Sequence, residues 1–483
     1  MFRRLPFRIV LVCSIISVLL YFFGSRLPNV SAIVPSHIDL THSGTSHESH
    51  VQPAGDDPAV EVVIPPAAPV NTSASQTTPA EEAPSSSTTP SKLSNAPLKV
   101  AITETGGSHD EVVAALIHSF GSQPDVKLST FFLLQRYGIT DVVAGFSLAS
   151  PIPKNNNPDR FLASENEVPD IIVAATCELD ALKYEKKLKP LLENPRSFLF
   201  CVVHHADRWN KPELERALTP WVEANKVRFL ALSSHTAQYL ATHGLSKWNV
   251  SDLVPEPDVF VPVFPVPLPS DSQEDSEDPS DEQELTFALQ GDYDSGRRNY
   301  ASIFKHLGEF LNSTSDGSDE QAATNQNITL HLLGHGNRPA VPKELAGHII
   351  FDENTNYKDF YSILSRTFTL LPAFATKEYL DRKASSSVPA ALIGGTPLVA
   401  TKEIVEAYSY LSEDVVWLQN GKESEFEVVG RVLKMTAADR RKKSAQCVAL
   451  RNDLIAGNTE LVRAWISDAL EGEALEGEDQ EQI

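Results

Sequence analysis

Leu98-Lys-Val-Ala-Ile-Thr103 runs through Gly106-Gly107 into Ser108-His109-Asp110-Glu111. A short apolar run, a glycine turn and a capping-box start to a helix (Val112, Leu116 and Phe120 at helical spacing) predict a strand–turn–helix unit. The pattern repeats. Asp170-Ile-Ile-Val-Ala-Ala175, Phe198-Leu-Phe-Cys-Val-Val203 ending at His204-His205, and Val227-Arg-Phe-Leu-Ala-Leu232 before Ser233-Ser234-His235-Thr236 all read as buried strands followed by polar turns. Alternating strands and helices predict a parallel α/β sheet whose ligands sit at the strands' carboxyl ends. Residues 98–269 therefore form one Rossmann-like domain, closed by the proline-rich stretch Val254 to Pro269, which reads as an extended, hinge-like connector and not as a central strand.

The same grammar returns over 285–469. Leu285-Thr-Phe-Ala-Leu-Gln290 precedes Gly291 and the turn Asp292-Tyr-Asp-Ser-Gly-Arg-Arg298, then a helix from Asn299 to Leu311. Thr329 to Leu333 ends in Gly334-His335-Gly336. His348 to Phe351 leads to a helix over Tyr357 to Leu364 and a strand Phe368 to Pro372. A helix over Ser385 to Ile393 leads to Gly394-Gly395-Thr396-Pro397 and Leu398-Val-Ala400. Between the domains, residues 270–284 are an acidic, disordered linker, with eight carboxylates and no base in 271–284. Residues 470–483 read as an acidic, frayed tail.

Upstream, Arg3, Arg4 and Arg8 precede an apolar run from Ile9 to Phe23. A basic flank before such a run predicts a cytosolic tail (1–8) and a transmembrane signal anchor (9–24), with everything downstream lumenal. The rival reading is a cleaved signal peptide ending at Val30-Ser31-Ala32. Residues 25–97 form a Pro/Ser/Thr-rich stalk, too polar to offset chain entropy by burial. Asn29, Asn71, Asn249, Asn312 and Asn327 head glycosylation sequons. Anchor, stalk and globular part together resemble the layout of Golgi glycosyltransferases, and imply a single-pass type II protein of the Golgi or endoplasmic reticulum membrane.

The second domain resembles the nucleotide-sugar-binding half of GT-B glycosyltransferases, particularly the retaining family 4 type. The resemblance is carried in order by Gly291…Arg297-Arg298-Asn299, by Gly334-His335-Gly336, by Phe351…Leu364…Pro372 and by the run Ala391 to Ala400. It implies two Rossmann-like domains facing a cleft, a nucleotide-sugar donor on the second and a glycan, glycoprotein or glycolipid acceptor on the first. It implies transfer to an acceptor hydroxyl without a metal or other cofactor, the nucleotide sugar being the co-substrate. By position, Arg298 or Arg297 is the first phosphate-contacting cation and Lys383 the second. Ser385 and Ser386 offer hydroxyls and N–H groups to a phosphate. The family's two glutamates fall here on Arg382 and Ala390, so a non-catalytic carbohydrate-binding or scaffold protein is the alternative. In the first domain, His204 and His205 are the candidate catalytic bases, and Gly106, Gly107 and His109 the candidate cleft turn. Asp292-Tyr293-Asp294 is read as a turn and not as a metal motif.

The net charge of -23, from 64 acidic and 41 basic residues, argues against a broad grip on nucleic acid. Fourteen of those negatives lie in the acidic linker and tail, so the total leaves room for a local cationic pocket. Four cysteines make no zinc pair. Cys177, Cys201 and Cys447 read as buried thiols, a Cys177–Cys201 bridge between neighbouring strands being the alternative.

Overall fold

The computed structural model describes residues 97–162, 168–268, 285–315 and 328–478. The cytosolic tail, the anchor, the stalk up to residue 96, the acidic linker and the sequons at Asn29, Asn71 and Asn327 lie outside the described residues. Among the described residues no helix is long and apolar enough to cross a membrane.

The first domain is a six-stranded parallel sheet in the order β2-β1-β3-β4-β5-β6. Its strands are β1 (Leu98–Glu104), β2 (Val126–Phe132), β3 (Ile171–Ala174), β4 (Phe198–Val203), β5 (Val227–Ala231) and β6 (Asp258–Val259). The central strands are continuous apolar runs because both faces are covered. On one side lie α1 (Asp110–Gly121) and α2 (Ile139–Gly145). On the other, α3 (Cys177–Leu188) and α4 (Pro212–Glu223) pack with Trp209, Trp221 and Trp248. A further helix, α5 (Ser234–Tyr239), follows β5.

The second sheet has the order β12-β11-β10-β7-β8-β9, again all parallel. It comprises β7 (Leu285–Gln290), β8 (Ile328–Gly334), β9 (Ile349–Glu353), β10 (Thr369–Leu370), β11 (Leu398–Ala400) and β12 (Val416–Leu418). Its helices are α6 (Tyr300–Ser315), α7 (Tyr357–Leu364), α8 (Glu378–Asp381), α9 (Ser387–Gly394), α10 (Lys402–Ala407), α11 (Glu425–Leu433) and α12 (Ala437–Glu478). Two Rossmann-like domains facing one cleft is the GT-B architecture that the sequence implied.

Several sequence expectations are corrected. Residues 126–132 form the edge strand β2; Lys127 and Ser129 interrupt its apolar pattern because an edge is covered less fully. The connector 254–268 is extended, as read, but Asp258–Val259 pairs with β5, and Phe260, Val263 and Phe264 are fully buried. Its prolines suit an edge, where missing N–H donors cost no ladder bond. The capping box expected at Ser108 does not form. His109 occupies the N-cap without a side-chain cap, and the Ser108 hydroxyl bonds back to the Gly106 carbonyl at 3.3 Å. A reciprocal capping box stands instead at Ser424 and Glu427, opening α11.

The chain after Ala469 does not fray at once, since α12 continues to Glu478. That helix leaves the second domain and packs on the first. Trp465 lies 5.7 Å from Phe200 and 6.5 Å from Phe260, the Asn458 amide donates to the Val261 carbonyl at 2.7 Å, and Arg228 pairs with Asp468 at 3.1 Å. Cys177 and Cys201 are joined in a disulfide, against the buried-thiol reading. The parallel register sets Cys201 beside Ala174, three residues before Cys177, which brings the two Cα atoms to 5.1 Å. Cys447 is a buried free thiol, pushed up to about 12 by burial.

Candidate active-site cleft

In each sheet the strand order reverses once beside the domain's first strand, between β1 and β3 and between β7 and β10. Reversal leaves a crevice at the strands' carboxyl ends, where neighbouring loops part to opposite faces. Both crevices border one cavity of about 640 Å³. His109, His204 and His205 line it from the first domain; Arg297, Lys383, Ser385 and Ser386 line it from the second.

On the first-domain side the β1 terminus is organised by its own last residue. The Glu104 carboxylate accepts from the Gly106 and Gly107 N–H groups at 2.8 and 2.6 Å, and from the Thr176 hydroxyl at 3.0 Å. Gly106 and Gly107 thus wrap a buried glutamate, so their amides are not offered to a ligand as a cleft turn would require. Glycine is needed at 107, where φ is +68° and a Cβ would stand 2.5 Å from that of Leu134.

His109 Nδ1 lies 3.0 Å from the Thr176 hydroxyl oxygen. That hydroxyl has one proton and gives it to Glu104, so the imidazole must donate through Nδ1–H, leaving Nε2 with its lone pair. Burial, then His204, His205 and Arg297, push His109 well below the usual histidine range, and the ring stays neutral. It stacks on His204 with centroids 3.6 Å apart. His204 Nε2 lies 2.7 Å from the Ala175 carbonyl, which only accepts, so His204 is protonated there. Both the His204 and the His205 backbone N–H donate to Glu178 at 2.7 Å. His205 Nδ1 is buried without a hydrogen-bond partner, and burial followed by Arg208 lowers the basicity of that ring.

Across the cleft the arginine pair divides. Arg298 is only 1% exposed and donates to the Gln290 carbonyl at 3.1 Å and to the Ser387 hydroxyl at 2.8 Å, braced against the faces of Phe374 and Tyr379. It ties β7 to α9 and does not line the cavity, which corrects its sequence assignment as the leading phosphate contact. Arg297 does line it, held by Asp292 at 2.6 Å and by the Tyr379 hydroxyl at 2.9 Å. Lys383 pairs with Glu378 at 2.8 Å. Ser385 is buried, and its N–H donates to the Tyr408 hydroxyl at 2.9 Å; Ser386 is the N-cap of α9.

Gly334 borders the cavity, and a Cβ there would sit 2.0 Å from the Gly291 carbonyl oxygen, so no side chain fits. Gly336, at φ +116°, turns the loop without lining the cavity. Between them His335 Nδ1 meets Asp292 at 3.1 Å, and Nε2 meets the Tyr137 hydroxyl of the first domain at 3.0 Å. Asp292-Tyr293-Asp294 is a turn, as read: Asp294 accepts from the Gly296 N–H and the Tyr293 hydroxyl donates to Leu332. Among the described residues no group of three His, Cys, Asp or Glu is placed to hold a metal ion.

At the two departed positions, Ala390 is fully buried in α9. Arg382 pairs with Glu378 at 2.6 Å and reaches Asp207 of the first domain at 3.6 Å. Asn249 and Asn312 are both exposed; the Asn249 amide donates to Glu215 at 2.8 Å. Reading along the chain missed Glu104, Thr176, Glu178, Asp292 and His335. Each stands at or just beyond a strand's carboxyl end, a position that marks it only once strand order is known.

No family model matches the chain, and no curated protein does. Among solved structures it is similar to Anabaena Alr3699/HepE in complex with UDP and glucose, at 13% identity over 77% of this chain and 100% of that one, TM-score 0.48. It is also similar to the lipopolysaccharide outer core galactosyltransferase WaaB in its apo form, at 14% identity over 76% and 100% of the two chains, TM-score 0.43. A third is the putative UDP-N-acetylglucosamine 2-epimerase from Listeria monocytogenes, at 14% identity over 72% and 91%, TM-score 0.41.

Proposed function

We propose that this chain is a membrane-anchored, lumenal glycosyltransferase moving a sugar from a nucleotide-sugar donor to an acceptor hydroxyl of a glycan, glycoprotein or glycolipid. The observation that carries the reading is the shared cavity, with Arg297 and Lys383 on one wall and the imidazoles of His109, His204 and His205 on the other. Bond breaking at the anomeric carbon develops negative charge on the departing diphosphate, which fixed cations in a water-poor cleft stabilise. Arg297 and Lys383 are now paired with Asp292 and Glu378, so a diphosphate would compete with those carboxylates. The N-terminal end of α9, at Ser386 and Ser387, adds helix-dipole charge of the right sign. No cofactor enters the scheme.

The lumenal part of the proposal draws on the basic-flanked apolar run at residues 9–24 and on the Cys177–Cys201 disulfide, a bond kept in oxidising compartments. Absence of a carboxylate at 382 and 390 favours the second reading, a non-catalytic carbohydrate-binding protein.

Thermal-shift titration with UDP, GDP and ADP, and with their sugars, tests the donor site. One nucleotide should stabilise the chain. Arg297→Ala should weaken it about ten- to a hundredfold, the worth of one charged hydrogen bond, without lowering the ligand-free midpoint much. Arg298→Ala should lower the ligand-free midpoint itself. Binding with no turnover on any acceptor would select the non-catalytic reading, and no nucleotide binding would sink both.

A further inference from the structure

Resting on the donor reading above, we infer that His109 is the catalytic base of a single-displacement transfer with inversion at the anomeric carbon, and that Thr176 and Glu104 are its positioning residues. The chain Glu104–Thr176–His109 has the form of an acid, a hydroxyl relay and an imidazole, joined by contacts of 3.0 and 3.0 Å. Each link accepts and donates in one sense only, so Nδ1 carries the proton and Nε2 is the free base. His109 lines the cavity, and its Nε2 makes no hydrogen bond among the described residues.

Neither neighbouring imidazole is held by such a relay. His204 holds its proton on Nε2 against the Ala175 carbonyl and stacks on the His109 ring. His205 turns a sealed Nδ1 into the protein. Position in the fold agrees. Glu104 and Thr176 end β1 and follow β3, at the strand reversal of the first sheet, and Arg297 follows β7 at the reversal of the second. His109 and Arg297 line the same cavity, so base and leaving-group cation share it.

In the step, the acceptor O–H proton passes to His109 Nε2 while the acceptor oxygen bonds the anomeric carbon. The bond from that carbon to the diphosphate oxygen breaks, and its electron pair leaves with the diphosphate toward Arg297 and Lys383. The imidazolium then returns the proton to water. A retaining route assisted by the family's glutamates finds no carboxylate here: Ala390 is buried and Arg382 is turned to Glu378 and Asp207.

The test uses the full chain with UDP-glucose, UDP-galactose, UDP-N-acetylglucosamine and GDP-mannose, all α-linked, with water as acceptor. Proton NMR follows the anomer released before mutarotation, and nucleotide affinity is measured in parallel. The expected first product is the β-anomer. His109→Gln should lower kcat about a hundredfold or more, with nucleotide affinity held within about twofold. Thr176→Val and Glu104→Gln should lower kcat by about tenfold or more through loss of the tautomer, while Thr176→Ser, which keeps the hydroxyl, should restore it. An α-anomer released first, or His109→Gln turning over at the parent rate, overturns the inference. So does nucleotide binding without hydrolysis of any donor, which leaves the donor site standing. Absence of nucleotide binding removes the donor reading itself.

Discussion

Arg297 and Arg298 are adjacent in the chain and opposite in role, and the backbone decides which is which. Gly291, at φ +130°, lets the loop fold over the Arg298 guanidinium; a Cβ there would come within 2.9 Å of it. Sequence reading located the cationic turn but not the exposed partner, because neighbouring side chains in an irregular turn follow no period. Asp110 and Asp180 show a second effect of placement. Burial, with Glu104 nearby, pushes each up to about 7. A folded state that keeps protons the unfolded chain releases above about pH 4 loses stability as pH rises from about 4 to 7, and is flat beyond. Asp110 also has one carboxyl oxygen buried without a partner. Asp110→Asn should therefore stabilise the protein above pH 7 by on the order of 1–2 kcal/mol, within what a shift of this size allows, and should flatten part of the slope. Urea midpoints taken from pH 4 to pH 8 check it, and a variant no more stable than the parent at pH 8 would refute the burial argument.

At the scale of elements, most central strands and the helices that follow them were legible because buried parallel strands are long apolar runs. Helix 357–364 was read to its limits. Short or edge elements were not: β12 has three residues and β6 two, and both exist only by pairing with a neighbour. The disulfide belongs here too. Cys177 and Cys201 are 24 positions apart in the chain, and only strand order made β3 and β4 neighbours. The bond clamps the base of the segment that presents Thr176 and Glu178. Closing a loop of that length is worth about 3 kcal/mol on chain-entropy grounds. Replacing both cysteines by alanine should lower the thermal midpoint accordingly and, through Thr176, reduce kcat more than nucleotide affinity. An unchanged midpoint in calorimetry would count against the clamp.

For the whole molecule, α12 is one of the elements that hold the two domains together. It starts on the second sheet, where the Arg451 guanidinium donates to the Ile393 carbonyl at 3.0 Å, and ends on the first, with Trp465 2% exposed against Phe200 and Phe260. Trp465→Ala should cost about 3–5 kcal/mol, as large buried aromatics do. It should also separate one calorimetric transition into two, the first domain melting earlier; a single transition at the parent midpoint would show the tether to be dispensable. Apolar periodicity and turn residues by themselves determined that the chain holds two α/β domains and where most of their strands end in polar turns, since those are local patterns. Which arginine faces the cleft, how Glu104 and Thr176 set the His109 proton, and where α12 docks were decided only by the tertiary structure. Such contacts join residues tens to hundreds of positions apart, and no period along the chain encodes them.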